Sequence, residues 1–134
     1  MKILIDTNVV LDVIGKRQEF YENSFKALQL VYVNHTPCVS ATTVTDIMYL
    51  SRKLFASVEQ QKIALADFFS DFKIIPISKK QILQAFCSQM NDFEDAIQAF
   101  CAKKAGVKLI ISRNIKDYAL SPVYALSPAD FIKL

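Results

Sequence analysis

Five short apolar runs typical of β-strands alternate along this chain with segments of helical periodicity. The runs are Lys2–Ile5, Cys38-Val39, Lys73–Ile77, Val107–Ile111 and Val123–Leu126. The intervals between them carry apolar residues spaced three or four apart, as on one face of a helix. Because strands that alternate with helices usually pair in parallel, this pattern predicts an α/β domain with a mainly parallel sheet and helices on both faces.

Local capping signals mark the helices near the carboxyl terminus of the chain. Asp92 is a candidate N-cap for a helix that runs to Ala105, and Gly106 is the expected stop. Ser127-Pro128 is expected to begin a short last helix, with proline at its first position.

Composition narrows the class of protein. The 134 residues, 52% of them hydrophobic and 22% charged, predict one folded domain over residues 1–134 and exclude a disordered chain. Three cysteines without CxxC spacing and one histidine disfavour a zinc site. No segment resembles a signal peptide or a membrane span, so we expect a cytoplasmic protein without a membrane partner. The net charge of +3 permits a nucleic-acid partner without requiring one.

Acidic residues from four separate segments are predicted at the carboxyl edge of the sheet, where ligands of such sheets bind. Asp6 directly follows the first strand, and Asp46 lies in the first turns of the helix after the second. Asp95 lies at the start of the helix that returns to the fourth strand, and Asp117 lies in the polar loop after that strand. Each acid alone could be an ordinary cap or surface residue. The positive end of the helix dipole is expected to keep Asp95 ionised.

Carboxylates gathered at one edge repel one another, so such a cluster is costly without a cation. Hard divalent cations with oxygen ligands remove this cost. The cluster therefore predicts a Mg²⁺ or Mn²⁺ site, which suits phosphodiester hydrolysis and needs no histidine.

At these residues the sequence resembles the PIN-domain ribonuclease family, especially the virulence-associated toxins of toxin–antitoxin pairs. The matching segments are Ile3–Asp12, Val39–Ile47, Asp92–Ala99, Leu109–Tyr118 and the tail Ala125–Phe131. The first contains the Asp-Thr-Asn motif that opens the family pattern. The second carries Asp46 where the family usually has Glu, and the fourth carries Asn114 where the family often has Asp.

The resemblance implies a fold, an activity and a set of residues. The fold is a five-stranded, mainly parallel sheet in the order 3-2-1-4-5 flanked by helices, and the activity is metal-dependent cleavage of RNA with Mg²⁺ or Mn²⁺. The implied partners are the RNA substrate, a small antitoxin protein and a second copy of the chain. The implied catalytic residues and metal ligands are Asp6, Asp46, Asp95 and Asp117, supported by Thr7, Asn8, Ser112 and Asn114, with Arg113 and Lys116 as candidate RNA contacts.

Three alternative functions place acids at a similar sheet edge. A phosphoryl-accepting receiver domain needs an acid after the third strand, where this chain has Ile77–Lys80. A haloacid-dehalogenase-like phosphatase needs an acid two residues after its nucleophile, where this chain has Asn8. A catalytically inactive PIN domain that binds RNA or protein remains the main alternative to an active ribonuclease.

Overall fold

The central sheet in the computed structural model, which describes residues 1–134, has five strands in the order β3-β2-β1-β4-β5. Every neighbouring pair is parallel. Both the parallel pairing and the order 3-2-1-4-5 therefore confirm the prediction. The strands are β1 (Lys2–Ile5), β2 (Thr36–Ser40), β3 (Lys73–Ile75), β4 (Leu109–Ile111) and β5 (Ala125–Leu126).

Seven α-helices cover the sheet. No helix is both long enough and apolar enough to span a lipid bilayer. Two short 3-10 helices, Arg52–Leu54 and Ile115–Tyr118, complete the secondary structure. The α-helices are α1 (Thr7–Ile14), α2 (Tyr21–Asn34), α3 (Ala41–Leu50), α4 (Val58–Phe69), α5 (Lys79–Cys87), α6 (Phe93–Lys104) and α7 (Pro128–Phe131).

Alternate residues of β1 supply the two cores, because successive side chains of a strand point to opposite faces. Ile3 and Ile5 pack with apolar residues of α1, α2, α3, α4 and α7. Leu4 packs on the other face with residues of α5 and α6. The strand is therefore buried on both faces, as expected for the centre of a parallel sheet.

The predicted strand and helix ends are right to within a few residues. The third strand ends at Ile75, before Pro76, which has no N–H to extend the ladder. The fourth strand begins at Leu109, two residues later than predicted. Helix α6 ends at Lys104, and Gly106 adopts a φ of 79°, the left-handed conformation that ends helices and favours glycine.

The strand order reverses at β1, which lies between β2 and β4. Helix α1 begins directly after β1, and α3 begins directly after β2, at the carboxyl ends of these strands. Helix α6 runs back towards the start of β4, so its N-terminus lies at the same edge. Three helix starts therefore surround the carboxyl edge at the reversal point, where ligands of open α/β sheets bind.

A buried ion pair joins α1 to the loop after β4. The Asp12 side chain is fully buried and accepts hydrogen bonds from Arg113 Nε at 2.7 Å and Nη2 at 3.1 Å. Ser24 Oγ of α2 donates to the same carboxylate at 2.9 Å. The Arg113 guanidinium also lies 3.7 Å from the centroid of the Phe20 ring. This arrangement connects α1, the segment around Phe20 and the loop after β4.

Removal of Asp12 is expected to destabilise the fold strongly. Asp12→Ala leaves the Arg113 guanidinium and the Ser24 hydroxyl without their acceptor, and the loss of one partner of a buried pair costs about 3 kcal/mol. Glu22→Ala is the matched control, because it breaks the exposed Glu22–Lys26 pair on α2 at a cost below about 0.5 kcal/mol. Urea unfolding of both variants measures the difference, and equally small losses would show that the Asp12 pair contributes no more than a surface pair.

Candidate active site

An open cavity of about 340 Å³ lies at the carboxyl edge of the sheet and is strongly acidic. Six carboxyl groups line it, and the structure brings the four predicted acids together there with Asp92 and Glu94. Arg17 is the only basic residue among the lining residues. The lining residues are Asp6, Thr7, Asn8, Leu11, Arg17, Asp46, Leu50, Asp92, Glu94, Asp95, Asn114 and Asp117.

Asp6 is the most constrained of these acids. It directly follows β1, its backbone N–H donates to the Ile111 carbonyl oxygen at 2.9 Å, and the residue is only 4% exposed. It is also the N-cap of α1, with the Thr7 N–H donating to Oδ1 at 2.7 Å. Both interpretations of Asp6 therefore hold at once: the carboxylate caps a helix and faces the acidic cavity.

The predicted supporting residues contact Asp6 or its immediate neighbours. Ser112 Oγ donates to Asp6 Oδ2 at 2.7 Å. The Asn8 amide lies 3.5 Å from the same oxygen, and its Oδ1 accepts from the Arg113 backbone N–H at 3.2 Å. Thr7 Oγ1 lies 2.9 Å from Thr43 Oγ1 of α3. These contacts join the starts of α1 and α3 to the end of β4.

Asp95 lies in the first turn of α6, where the Asp92 side chain accepts from its backbone N–H at 2.9 Å. Burial is the main cause that raises the pKa of Asp95 to about 7, and the charges of Asp6 and Asp92 raise it further. The hydrogen bond from Tyr118 lowers the pKa only in part. Without a bound cation, a pKa of about 7 leaves Asp95 only partly ionised near neutral pH, because desolvation and like charges oppose the helix dipole.

Glu94 faces Asp46 across the cavity. A hydrogen bond with Asp46, followed by burial and the charges of neighbouring acids, raises the pKa of Glu94 to about 7. Glu94 was not among the site residues predicted from the sequence, because an acid in the first turn of a helix is common. Residues at the start of a helix point in different directions around its axis, and only the packing of α6 on the sheet decides which of them meet Asp46.

The loop after β4 brings Asp117 and Asn114 to the cavity. Ser112 Oγ accepts from the Asn114 backbone N–H at 3.0 Å, which fixes the start of this loop. Lys116 is exposed and forms no ion pair. Arg113 is held by Asp12 through two of its nitrogen atoms, so an RNA contact by this residue is restricted to its remaining N–H groups.

Two further residues at the site, Gln98 and Tyr118, were missed by the sequence analysis. Gln98 Nε2 donates to Asp6 Oδ1 at 3.0 Å, and the Tyr118 hydroxyl donates to Asp6 Oδ2 at 3.1 Å. A polar residue three positions after Asp95, among Ala96 and Ala99 of the buried helix face, is the sequence signal that could have found Gln98. Tyr118 carries no comparable signal.

The donor atoms of the cavity fit a hard divalent cation, because they are carboxylate and amide oxygens without cysteine or histidine. No three acidic side chains are already close enough to surround one ion. Mg²⁺ commonly keeps several waters and binds through one or two carboxylates together with substrate phosphates. The chemistry of the site therefore fits Mg²⁺ or Mn²⁺, whereas a closed cage of protein ligands is not preformed.

Asp95 is expected to make the stability of the metal-free protein pH-dependent. Its folded-state pKa of about 7 exceeds the roughly 3.9 of an unfolded aspartate, so the folded chain binds the proton more tightly. This stabilisation is complete below the unfolded pKa and is lost as pH rises through the folded pKa. The stability of Asp95→Asn does not fall in this way, because asparagine carries no titrating proton. Relative to wild type in EDTA, it should gain on the order of 1 kcal/mol as pH rises from about 4 to about 8, a small value because the side chain is partly exposed.

The measurement is urea unfolding of both proteins across this pH range. Asp130→Asn on the exposed side of α7 is the control, and its stability should run parallel to that of wild type. Parallel curves for Asp95→Asn and wild type would mean that Asp95 titrates like an unfolded aspartate.

Known proteins with similar sequences and structures include nucleases and toxin–antitoxin complexes. Ribonuclease VapC1 from Aquifex aeolicus is 27% identical over 139 residues, which cover 97% of this chain and 92% of that protein. VapBC2 from Rickettsia felis, bound to a promoter DNA fragment, has a TM-score of 0.71 at 20% identity, covering 95% of this chain and 98% of that one. A toxin–antitoxin complex from Klebsiella pneumoniae has a TM-score of 0.70 at 25% identity, covering 94% and 97%. The PIN domain pattern matches residues 2–116, and the chain therefore belongs to the PIN domain family.

Proposed function

We propose that residues 1–134 act as one nuclease domain that hydrolyses RNA phosphodiester bonds with Mg²⁺ or Mn²⁺, as the toxin of a toxin–antitoxin pair. The observation that carries this proposal is the cavity in which six carboxyl groups from separate elements meet at the carboxyl edge of the sheet. The relative from Aquifex aeolicus is named a ribonuclease. Such an activity on cellular RNA belongs in the cytoplasm.

Asp6, Asp46, Asp95 and Asp117 would hold the cation, with Asn114 beside them. A bound Mg²⁺ or Mn²⁺ supplies an activated water and stabilises charge on the reacting phosphate oxygens. Hydrogen bonds hold Asp6 in one orientation, and Asp95 presents its carboxyl group at the start of α6. Burial, and after it the charges of neighbouring acids, raise the pKa of Asp95. A cation would relieve the repulsion between these acids, so cation binding and ionisation of Asp95 favour each other.

Loss of one candidate ligand is expected to abolish cleavage without unfolding the chain. Asp95→Asn keeps the shape of the side chain, and asparagine is tolerated near helix starts, but the charge is removed. Metal-dependent cleavage of a structured RNA should fall at least about a hundredfold, since the charge of a metal ligand supports the reaction directly. Asp6→Asn should behave in the same way, whereas Asp130→Asn should cleave like wild type.

The assay compares RNA cleavage with Mg²⁺, with Mn²⁺ and with EDTA for all four proteins. Equal cleavage by Asp95→Asn and wild type would remove Asp95 from the site. Absence of cleavage by wild type on varied RNAs with both metals would favour the inactive RNA- or protein-binding domain. As a toxin, the wild-type chain should also arrest growth when induced alone in a bacterial host, and Asp95→Asn should not.

Arg17 is the residue best placed to bind a substrate phosphate in this acidic cavity. Its side chain is 45% exposed, and its Nη1 lies 3.8 Å from Asp12 Oδ1, beyond hydrogen-bonding distance. Asp12 is already bound by Arg113, so most donors of Arg17 are free. The backbone of this segment is well fixed: the Arg17 carbonyl oxygen accepts from the N–H groups of Phe20 and Tyr21. A guanidinium at this position would counter the repulsion between the carboxylates and the RNA backbone.

Arg17→Ala is therefore expected to weaken RNA binding more than an equivalent change elsewhere. In the Asp95→Asn background with Mg²⁺, fluorescence anisotropy should show a roughly tenfold higher Kd and a salt slope shallower by about 0.7, the value for one lost phosphate contact on a single strand. Lys103→Ala is the control, because Lys103 lies at the far end of α6, away from the cavity. Equal effects of the two changes would show that Arg17 contributes only general surface charge.

The antitoxin partner rests on likeness to solved toxin–antitoxin complexes, including the one from Klebsiella pneumoniae. The homodimer stays a prediction. Three aromatic residues are candidates for its surface: Phe20, which is exposed and contacts Arg113, and Tyr21 and Phe55, which are half-buried. More exposed apolar side chains lie at the end of α3 and just after it, at Tyr49, Leu50 and Leu54.

A further inference from the structure

Gln98 is a buried amide on the same helix as Asp95. It lies three residues later on α6, so the two side chains share one side of the helix. Gln98 is only 4% exposed, and the buried residues around it on α6 are small: Ala96, Ala99 and Ala102. The small side chains leave room for the long amide to reach across the end of the sheet. One helix therefore supplies both a candidate ligand and a hydrogen-bonding group that reaches a second candidate ligand, Asp6.

The amide of Gln98 uses all its hydrogen-bonding capacity. Its Oε1 accepts from Ser40 Oγ at 2.8 Å and from Thr43 Oγ1 at 3.1 Å. Its Nε2 donates to Asp6 Oδ1 at 3.0 Å and to the Tyr118 hydroxyl at 2.7 Å. Rotation of the amide by 180° would place Oε1 against the Asp6 carboxylate, where two acceptors would repel. The orientation of the amide is therefore determined by its four neighbours.

Tyr118 extends this network to Asp95. Its hydroxyl oxygen accepts from Gln98 and lies 3.1 Å from Asp6 Oδ2 and 3.2 Å from Asp95 Oδ1. The hydroxyl has a single proton for these two carboxyl groups, which come from β1 and α6. Tyr118 is buried, with 4% of its surface exposed, so its ring cannot move without disturbing the core. The hydroxyl thus links the two acids through one rigid side chain.

We propose that Gln98 and Tyr118 are positioning residues that set the separation and orientation of the Asp6 and Asp95 carboxylates for cation binding. This inference rests on the proposed metal-dependent nuclease function. Both residues hold the acids with neutral donors. A lysine or arginine in the same place would neutralise the charge that attracts the cation, as Arg113 neutralises Asp12. Neutral donors fix the geometry and leave the negative charge available.

Two variants test this role, each with a matched control. Tyr118→Phe removes only the hydroxyl, and Gln98→Met keeps the length of the side chain but removes its donors and acceptor. Gln61→Met is the control for Gln98, because Gln61 is an equally buried glutamine bonded to the Met48 carbonyl oxygen and Ser51 Oγ, away from the cavity. Tyr124→Phe at an exposed tyrosine is the control for Tyr118.

The readout is the Kd for Mn²⁺ measured by calorimetry, with urea unfolding of each protein alongside. Tyr118→Phe and Gln98→Met should raise the Kd at least about tenfold, the usual effect of removing a group that orients a metal ligand. Gln61→Met should lose stability as Gln98→Met does, yet bind Mn²⁺ as tightly as wild type. Should Gln98→Met prove unfolded, Tyr118→Phe decides the matter alone.

The two ways of failing can be told apart. If wild type binds Mn²⁺ and both variants bind it equally tightly, the positioning role is wrong and the nuclease proposal stands. If wild type binds no Mn²⁺ at millimolar concentration, the metal-dependent function fails and the positioning role fails with it. If Gln61→Met weakens binding as much as Gln98→Met, the effect reflects general loss of stability, and the specific role of Gln98 is refuted.

Discussion

The Asp6 carboxylate is buried just after β1, and an ionised group removed from water is stable only if the surrounding chain supplies hydrogen-bond donors. The donors come from the backbone of α1, from Gln98 of α6, from Ser112 after β4 and from Tyr118. Each donor lies where the strand order reverses. Hydrogen bonds to the Asp6 carboxylate therefore connect several elements at the carboxyl edge of the sheet. No buried polar side-chain atom in the chain lacks a hydrogen-bond partner.

The two buried aspartates of the chain, Asp6 and Asp12, differ in the charge of their hydrogen-bond partners. Asp12 is paired with the Arg113 guanidinium, so its charge is neutralised and it acts as a structural link. Asp6 is surrounded by neutral donors, so its negative charge persists beside the other acids of the cavity. The contrast explains why one aspartate belongs to the scaffold and the other to the candidate active site, although both lie within seven residues of the same helix start.

Ionisation of the acids in the cavity is unfavourable: burial is the main cause that raises the pKa of Asp95, a hydrogen bond with Asp46 is the main cause for Glu94, and neighbouring negative charges raise both further. A cluster kept only for stability would not place like charges this close, since burial and mutual repulsion both oppose ionisation. Such clusters are typical of functional sites. The loosely held guanidinium of Arg17 is the only basic group at the cavity, which suits a polyanionic substrate better than a permanent ion pair would.

Local sequence signals predict the strand and helix pattern, the caps at Asp6, Asp92 and Ser127, and four acids at one edge of the sheet. Periodicity and helix capping are set by neighbouring residues. The alternation of strands with helices implies parallel pairing, which puts the carboxyl ends of the strands at one edge. The contacts between polar groups, in contrast, arise from the packing of distant segments. Gln98 and Tyr118 reach Asp6 across 92 and 112 residues of chain, and Arg113 reaches Asp12 across 101. Such pairings depend on how α6 and the loop after β4 pack on the sheet, and burial at that packed edge, which no local pattern encodes, is also what raises the pKa of Asp95.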